Sequence, residues 1–542
     1  MNSGWTLCLT VTAVMLTSTV LVSGQIFTAI SGLEESVRAE LQLVQYLRDY
    51  ISAEEKRLGH ISRFIQTTQS TYGTFKTTGD IVSNPVSAFQ LIKRLHLDWR
   101  NINNKTTDLR NYKELKANLA NHRVHIPKDS DLRGAAKALL RLEDVYQLEP
   151  QTIVQGDIGG VSATRLRPED CFDLGRAAYL SGDHYHTEIW LNEALALWKR
   201  EEEQRTTENP FNVSKVLDYL AFSHYQAGNI KKALNLSREF LKYDPNHRRV
   251  LSNVKNYVEE IDEKEREQHE IFEDKPNLRP PSLYLDNRER YEALCRGERK
   301  FPSWHYKPSK LKCYLTTNGN SLLTVRPAKK EYVNRNPDVI LYHDVITDDE
   351  IEALIDLAKP KLRRSMVVNS QSVGGVSNAE FRLSRGGWLE DSVHPVVARL
   401  TKRISVITGL STLTEQEYRH AENLQVVNYG LGGHYEPHFD HAVDDEIQDI
   451  HLPGSRNRIA TWMFYMSDVT AGGYTVFPEA DVFVRPIKNA AVFWYNLKPS
   501  GESDDMTRHA GCPVLIGNKW VANKWIHEKG NEFTRRCNLY HD

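Results

Sequence analysis

The stretch NYGLGGHYEPHFDH, residues 428–441, decides how the rest of the chain is read. His438 and Asp440 stand two apart in a run with the texture of a β-strand, so their side chains leave the same face. Two ligands placed in this way can meet one metal. A third imidazole, His509, follows in MTRHAGCPV at the expected edge of another strand. Two histidines and one carboxylate make the facial triad of non-haem iron sites, which keeps positions open for a bidentate cosubstrate and dioxygen. A bare His-x-Asp pair arises often by chance, so its weight depends on its surroundings.

A keto acid such as 2-oxoglutarate chelates a metal through one end and presents a distal carboxylate that needs a fixed cation. Lys519, in GNKWVANKW shortly after His509, is placed to supply one, at the desolvation cost a buried lysine carries when no anion is bound. Lys524 competes for the role. Tyr429 can add a hydroxyl to the same carboxylate, and His527 a second contact to the metal-bound end; the alternatives are a packed tyrosine and a surface histidine. From about residue 336 onward, runs such as LQVVNYGLGGHYEPHFD, RIATWMFYMS and AAVFWYNL alternate with Gly, Asn and Pro and read as strands of a barrel or jelly roll. TDDEIEALIDLAK opens this region as a helix capped near Thr347 and Asp348.

Upstream the texture is helical. Between Pro168 and Ile261 two segments, CFDLGRAAYLSGDHYHTEIWLNEAL and VLDYLAFSHYQAGNIKKALNLSREFLKYDP, share a pattern with Gly182 and Gly228 at equivalent turns. This is the texture of a tetratricopeptide repeat pair, whose stacked helices leave a groove. Tyr219, Phe222 and Tyr225 recur every third residue and are expected along one helical face, as core or as the wall of a groove suited to an extended polyproline II chain. Nearer the start, a heptad register runs through Ile30, Leu33, Val37, Glu40, Val44, Leu47, Ile51, Glu54, Leu58, Ile61 and Ile65, apolar at all but the two glutamates. It predicts a long helix that self-associates or packs into a helical bundle with the segments that follow. KPNLRPPS, residues 275–282, interrupts any helix and marks a linker. The expected divisions are therefore 1–24, 25–165, 166–262, 263–335 and 336–542.

With 542 residues the chain exceeds what one core supports, and 69 basic against 71 acidic residues leave no global field to draw nucleic acid. Trp5 to Val22 is apolar and ends in Ser23 and Gly24, which reads as a secretory signal peptide over residues 1–24, with a retained anchor as the alternative because the start lacks Lys and Arg. No membrane span is expected once it is removed. Sequons at Asn104, Asn212 and Asn235 matter only inside the secretory pathway. There, Cys295, Cys313, Cys512 and Cys537 group into two local pairs, 295–313 and 512–537, expected as disulfides, with Cys171 a buried thiol.

Several motifs in one order, NYGLGGHYEPHFD, GGYTVFP, VFWYNL, RHAGCPV and GNKWVANKWIHEKG, resemble the catalytic region of the animal collagen prolyl 4-hydroxylase alpha subunits. CFDLGRAAY, DHYHTEIW and DYLAFSHYQAG resemble the peptide-substrate-binding domain of the same family. The resemblance implies a multidomain α + β chain: a long-helix, coiled-coil dimerisation region, a tetratricopeptide-like peptide-binding domain and a C-terminal double-stranded β-helix dioxygenase domain. It implies Fe(II) on His438, Asp440 and His509, 2-oxoglutarate on Lys519 with His527 as an auxiliary, and ascorbate to keep the iron reduced. It further implies an endoplasmic-reticulum enzyme that joins protein disulfide isomerase as two alpha and two beta subunits and acts on collagen-like chains. NLYHD at the C-terminus is no KDEL-type signal, so retention would fall to the partner. Phe222, where relatives often carry tyrosine, is a departure from the pattern. Lysine hydroxylation and an adaptor with a vestigial site are the competing functions.

Overall fold

Central strands of a sheet covered on both faces are buried along their whole length, and RIATWMFY, nearly all apolar, and WVANKWIH, which buries Asn523, Lys524 and His527 as well, behave in this way. The computed structural model describes residues 26–73, 91–200, 212–268, 275–282, 285–299, 311–365, 382–415, 419–442 and 457–538. From residue 311 onward, strands β1 (Cys313–Thr316), β2 (Ala328–Arg335), β3 (Asp338–His343), β4 (Arg363–Arg364), β5 (Ser384–Leu389), β6 (Leu424–Tyr429) and β7 (Tyr435–His438) come first. Strands β8 (Arg458–Tyr465), β9 (Val469–Gly472), β10 (Thr475–Phe477), β11 (Val482–Val484), β12 (Ala491–Tyr495), β13 (His509–Gly511), β14 (Val514–Gly517) and β15 (Trp520–His527) follow. Nine of them form one sheet in the order β1-β2-β3-β12-β8-β15-β6-β5-β4, and four form a second, β11-β10-β13-β7. Every recorded pairing is antiparallel.

Parity along the strands divides the core. On β8, Ala460, Trp462 and Phe464 face a cluster that includes Leu354 and Leu400, while Met463 and Tyr465 face a second cluster with Phe477 and Val482 of the smaller sheet. The first cluster packs helices Asp348–Ala358 and Pro395–Thr408 on the outside of the large sheet. The second fills the space between the sheets, as in a jelly roll. The opening helix starts where expected: the Thr347 hydroxyl accepts from the Glu350 amide, and the Glu350 carboxylate accepts from the Thr347 amide.

The helical part begins with α1 (Ile30–Gly73), 44 residues long. Its stripe at Val37, Val44, Leu47, Ile51, Leu58 and Ile65 is exposed. The repeat pair is α2 (Pro168–Leu180) with α3 (His184–Arg200), then α4 (Val213–Gln226) with α5 (Ile230–Phe240), closed by α6 (Arg248–Gln268). Gly182 and Gly228 both hold positive φ, 75° and 80°, the conformation that each turn requires. No helix among the described residues is long and apolar enough to cross a membrane, and the expected signal peptide, residues 1–24, lies outside those residues.

Three expectations change. Residues 263–335 are more than a linker: α6 runs to Gln268, helix α7 (Arg288–Cys295) docks on the smaller sheet, and β1 and β2 already belong to the large one. The two local disulfides, Cys295–Cys313 and Cys512–Cys537, are replaced by one between Cys295 and Cys512, with Cα atoms 5.5 Å apart. The cause is packing: Tyr291, Leu294 and Cys295 sit against Val476, Ala510 and Cys512, whereas Cys313 and Cys537 are exposed free thiols. Closing a loop with a separation of 217 stabilises by about 5 kcal/mol in the chain-entropy picture. Cys171 is a buried thiol, as expected. Third, the aromatic face of α4 splits. Tyr219 stacks on Tyr179 at 4.4 Å and Phe222 meets the same ring edge-on at 5.8 Å, but Tyr225 packs on Tyr257 of α6 at 4.9 Å, against the buried Ile230 and Leu234. Six residues turn a helix by roughly 600°, about 120° short of two whole turns, which carries Tyr225 away from Tyr219.

Candidate metal centre and cosubstrate cavity

Strands β7 and β13 are neighbours in the smaller sheet, and their register sets His438 opposite His509. Asp440 follows just beyond β7. One ligand atom from each of the three lies within 4.8 Å of the others. Asp440 Oδ1 is 3.7 Å from His438 Nε2, and its Oδ2 is 3.5 Å from His509 Nε2.

Hydrogen bonds fix which nitrogen faces the centre. His438 Nδ1 lies 2.7 Å from the Glu436 carbonyl, and His509 Nδ1 lies 3.0 Å from the Thr507 carbonyl. A carbonyl only accepts, so both Nδ1 atoms carry the proton and both Nε2 lone pairs point at the space beside Asp440. This is the tautomer that a ligand histidine needs. Burial pushes the His509 imidazole down to about 4, so it stays neutral. Burial would raise Asp440, but the favourable charges around it, the Arg458 guanidinium among them, outweigh it and hold the carboxylate well below its usual range. Thr461 donates to Asp440 Oδ2 at 2.7 Å, and Asn496 donates to Thr461 at 3.0 Å. The donor set, its tautomers and its outer hydrogen bonds fit a divalent iron.

The same cavity is lined by Tyr429, Lys519, Asn523 and Trp525. Lys519 is 2% exposed, and burial pushes its ammonium down to about 7. Among the described residues no carboxylate pairs with its ammonium, which lies 5.0 Å from the Tyr429 ring centroid. A buried cation facing a cavity that already holds a metal-binding triad fits the distal carboxylate of 2-oxoglutarate. Lys524 is excluded from this role by parity. It shares a face of β15 with Trp520, Ala522 and Ile526, which pack outward, and it lies 3.8 Å from Asp391.

His527 is buried but does not line the cavity; its Nε2 is 3.3 Å from Glu422. Glu422 is held down to about 2, burial being outweighed by Arg458 and His527. Arg458 grips this carboxylate, stacks on Trp525 at 4.2 Å and donates to the Asp440 carbonyl at 3.1 Å. Tyr435, stacked on His438 at 3.5 Å, carries the Arg382 guanidinium 4.6 Å from its ring. Arg382, Tyr435, Arg458 and Trp525 were not singled out from the sequence. Strand parity was the available signal for Trp525, two positions from Asn523 on the face that Lys519 begins.

On the repeats, Phe172, Tyr179, Tyr219, Phe222 and His184 form a half-buried aromatic patch contributed by both units. Asn104, Asn212 and Asn235 are all exposed.

Three family models match in order: the prolyl 4-hydroxylase alpha-subunit N-terminal region over residues 29–160, the prolyl 4-hydroxylase peptide-substrate-binding domain over 168–263, and the 2OG-Fe(II) oxygenase superfamily over 424–527. The chain is 44% identical to prolyl 4-hydroxylase subunit alpha-1 of Bos taurus and of Homo sapiens, over 95% of both chains in each case. It is 41% identical to subunit alpha-3 of Mus musculus, covering 94% of each. A solved viral collagen prolyl hydroxylase from Paramecium Bursaria Chlorella virus-1 is 25% identical and covers 35% of this chain and 95% of its own, with a TM-score of 0.27.

Proposed function

The chain belongs to the prolyl 4-hydroxylase alpha-subunit family, and from that membership we propose that it is the catalytic subunit of a procollagen-proline 4-dioxygenase. It hydroxylates proline in X-Pro-Gly repeats of collagen-like chains, converting 2-oxoglutarate and O2 into succinate and CO2. The observation that carries the reading is the convergence of His438, Asp440 and His509 in a cavity closed by Lys519.

In this reading His438, Asp440 and His509 hold Fe(II), and Lys519, with the Tyr429 hydroxyl, holds the distal carboxylate of 2-oxoglutarate. Iron with 2-oxoglutarate supplies the oxidation at proline C4, and ascorbate keeps the metal reduced. The chain supplies geometry. Glu436 and Thr507 lock the imidazole tautomers, and Thr461 fixes the rotation of Asp440. The buried, apolar wall formed by Met463 and Trp494 excludes bulk water, which strengthens the Lys519 contact. His527 acts through Glu422 and Arg458 on the main chain of Asp440, as a positioning residue.

The aromatic patch at Tyr179, Tyr219 and Phe222 holds the proline-rich substrate as an extended polyproline II chain. The exposed stripe of α1 is the self-association surface, and protein disulfide isomerase is the beta subunit of an α2β2 assembly in the endoplasmic-reticulum lumen. The "alpha" in the relatives' names supports a second kind of subunit, and the disulfide is compatible with an oxidising compartment. Asn104, Asn212 and Asn235 are the glycan acceptors. The test is product balance on (Pro-Pro-Gly)n beside a lysine-containing collagen peptide. One 4-hydroxyproline per succinate on the first, and none on the second, is expected. Succinate without hydroxyproline, or turnover on lysine alone, would refute it.

A further inference from the structure

Residues Ile26–Ser31 are far in sequence from the cavity, yet they pack inside the catalytic part. Ile26, Phe27 and Thr28 form a single 3-10 turn in which all three are buried, and Ala29 is fully buried. The Ile26 amide donates to Asp131, at the start of the helix Asp129–Tyr146. The Phe27 ring fills the space over Gly134 of that helix, where a Cβ would fall 2.1 Å from Cζ, and touches Ala138 and Leu383.

The segment then engages the elements that carry the cavity. Leu431 donates its amide to the Phe27 carbonyl at 3.2 Å, and a Cβ on Gly430 would fall 2.1 Å from that oxygen, so glycine is what allows the approach. Gly430 to Gly433 is the loop that leads into the ligand strand β7. Arg385 donates to the Thr28 hydroxyl at 3.2 Å, and Arg385 is the cross-strand partner of Asn428. The Ser31 amide and hydroxyl both reach Asn428 Oδ1 at 3.3 Å. The Asn428 side-chain Nδ2 in turn donates to the Lys519 carbonyl at 3.2 Å, and the Tyr429 main-chain amide donates to the same oxygen at 3.0 Å.

We propose that Ile26–Ser31 is a strap that positions the cosubstrate end of the cavity, holding Asn428 and the glycine loop so that the main chain of Lys519 and Tyr429 stays in register. This rests on reading that cavity as the 2-oxoglutarate site. The strap runs directly into α1, so the helix at the far end of the chain and the cosubstrate pocket share one continuous segment. Displacing a supporting element by about an ångström costs a site up to about a hundredfold, and a strap that acts on one end of one ligand should weaken that ligand alone.

The experiment uses full-length enzyme loaded with Mn(II) in the absence of O2, with calorimetric titration of 2-oxoglutarate and, separately, of (Pro-Pro-Gly)n. Phe27→Ala removes the anchor, Gly430→Ala pushes the strap off from the other side, and Thr28→Val keeps the packing while removing the acceptor for Arg385. The first two should weaken 2-oxoglutarate about tenfold and the third about threefold, with peptide affinity unchanged. Phe27→Leu should restore near-normal binding. Unchanged 2-oxoglutarate affinity in the folded Thr28→Val and in either larger variant would overturn the strap, as would parallel weakening of both ligands. Lys519→Ala is the control for the underlying reading: if it leaves 2-oxoglutarate binding intact, the site assignment fails first. If it abolishes binding while the strap variants do not, only the strap fails.

Discussion

The repeat domain and the catalytic domain present their functional residues in opposite ways. In the catalytic domain the candidate chemistry comes from polar groups that are buried (Asp440, His509) or half-buried (His438), each held by a second hydrogen bond: His438 by the Glu436 carbonyl, His509 by the Thr507 carbonyl, Asp440 by Thr461. On the repeats the candidate surface is half-exposed aromatic rings that touch mainly one another, Tyr179 with Tyr219 and Phe222. A site that must hold a metal and a dianion needs directed donors, which cost desolvation and must be preorganised. A site that must grip a long, repetitive and already extended chain needs contact area and little ordering. The catalytic site should therefore fail abruptly on mutation and the groove gradually.

The sharpest way to break that comparison is at the metal. His438→Ala, Asp440→Ala or His509→Ala should each take peptide hydroxylation to the assay floor under excess Fe(II), whereas Thr461→Val should lower metal affinity or activity by about tenfold to a hundredfold. A ligand variant that kept near-normal turnover would remove that residue from the site. Next in size, Lys519→Ala should raise the KM for 2-oxoglutarate by about a hundredfold, the worth of roughly 3 kcal/mol for a charge-assisted contact. Lys524→Ala should leave that KM alone and alter stability, because its partner is Asp391. Reversal of the two titrations would swap the assignment.

The groove should respond less. Tyr219→Ala and Tyr179→Ala should each raise the KM for (Pro-Pro-Gly)n by about tenfold, roughly 1.5 kcal/mol of stacking, with kcat little changed. Tyr225→Ala should instead lower the thermal midpoint of the repeats without changing peptide affinity, since it packs on Tyr257. Peptide affinity lost in Tyr225→Ala but not in Tyr219→Ala would reverse the division of α4. The smallest effect is a proton. Lys519 is pushed down to about 7 in the free enzyme, and a bound carboxylate raises it again. Binding of 2-oxoglutarate should take up close to one proton at about pH 8 and almost none at about pH 6. Titration in two buffers of different ionisation enthalpy reads this directly, and no uptake at the higher pH would mean that Lys519 does not carry the contact.

What was legible in the sequence follows the same division. His438 and Asp440 share a face because a strand has period two, and the same count tells Lys519 from Lys524 once the bounds of β15 are known. The heptads and the turn glycines Gly182 and Gly228 are local signals, and they gave α1 and the repeat pair. The errors lie where local reasoning met long-range packing. Cys295 and Cys512 are joined because α7 docks on the smaller sheet, which no spacing between cysteines reveals. Tyr225 left the aromatic face because a three-residue spacing drifts around a helix. Arg458, Trp525 and the strap at Ile26–Ser31 act through partners distant in sequence, and their residue types carry no motif.

The most direct test of the account is a kinetic matrix on the full-length enzyme. KM for 2-oxoglutarate and KM for (Pro-Pro-Gly)n are measured in the wild type, Lys519→Ala, Tyr219→Ala and the double variant. Separate sites predict that each single change raises only its own KM and that the double variant shows the product of the two effects within about twofold. If Tyr219→Ala raised the KM for 2-oxoglutarate, or lowered kcat at unchanged peptide KM, the groove on the repeats and the iron cavity would not be separate devices, and the account would be wrong.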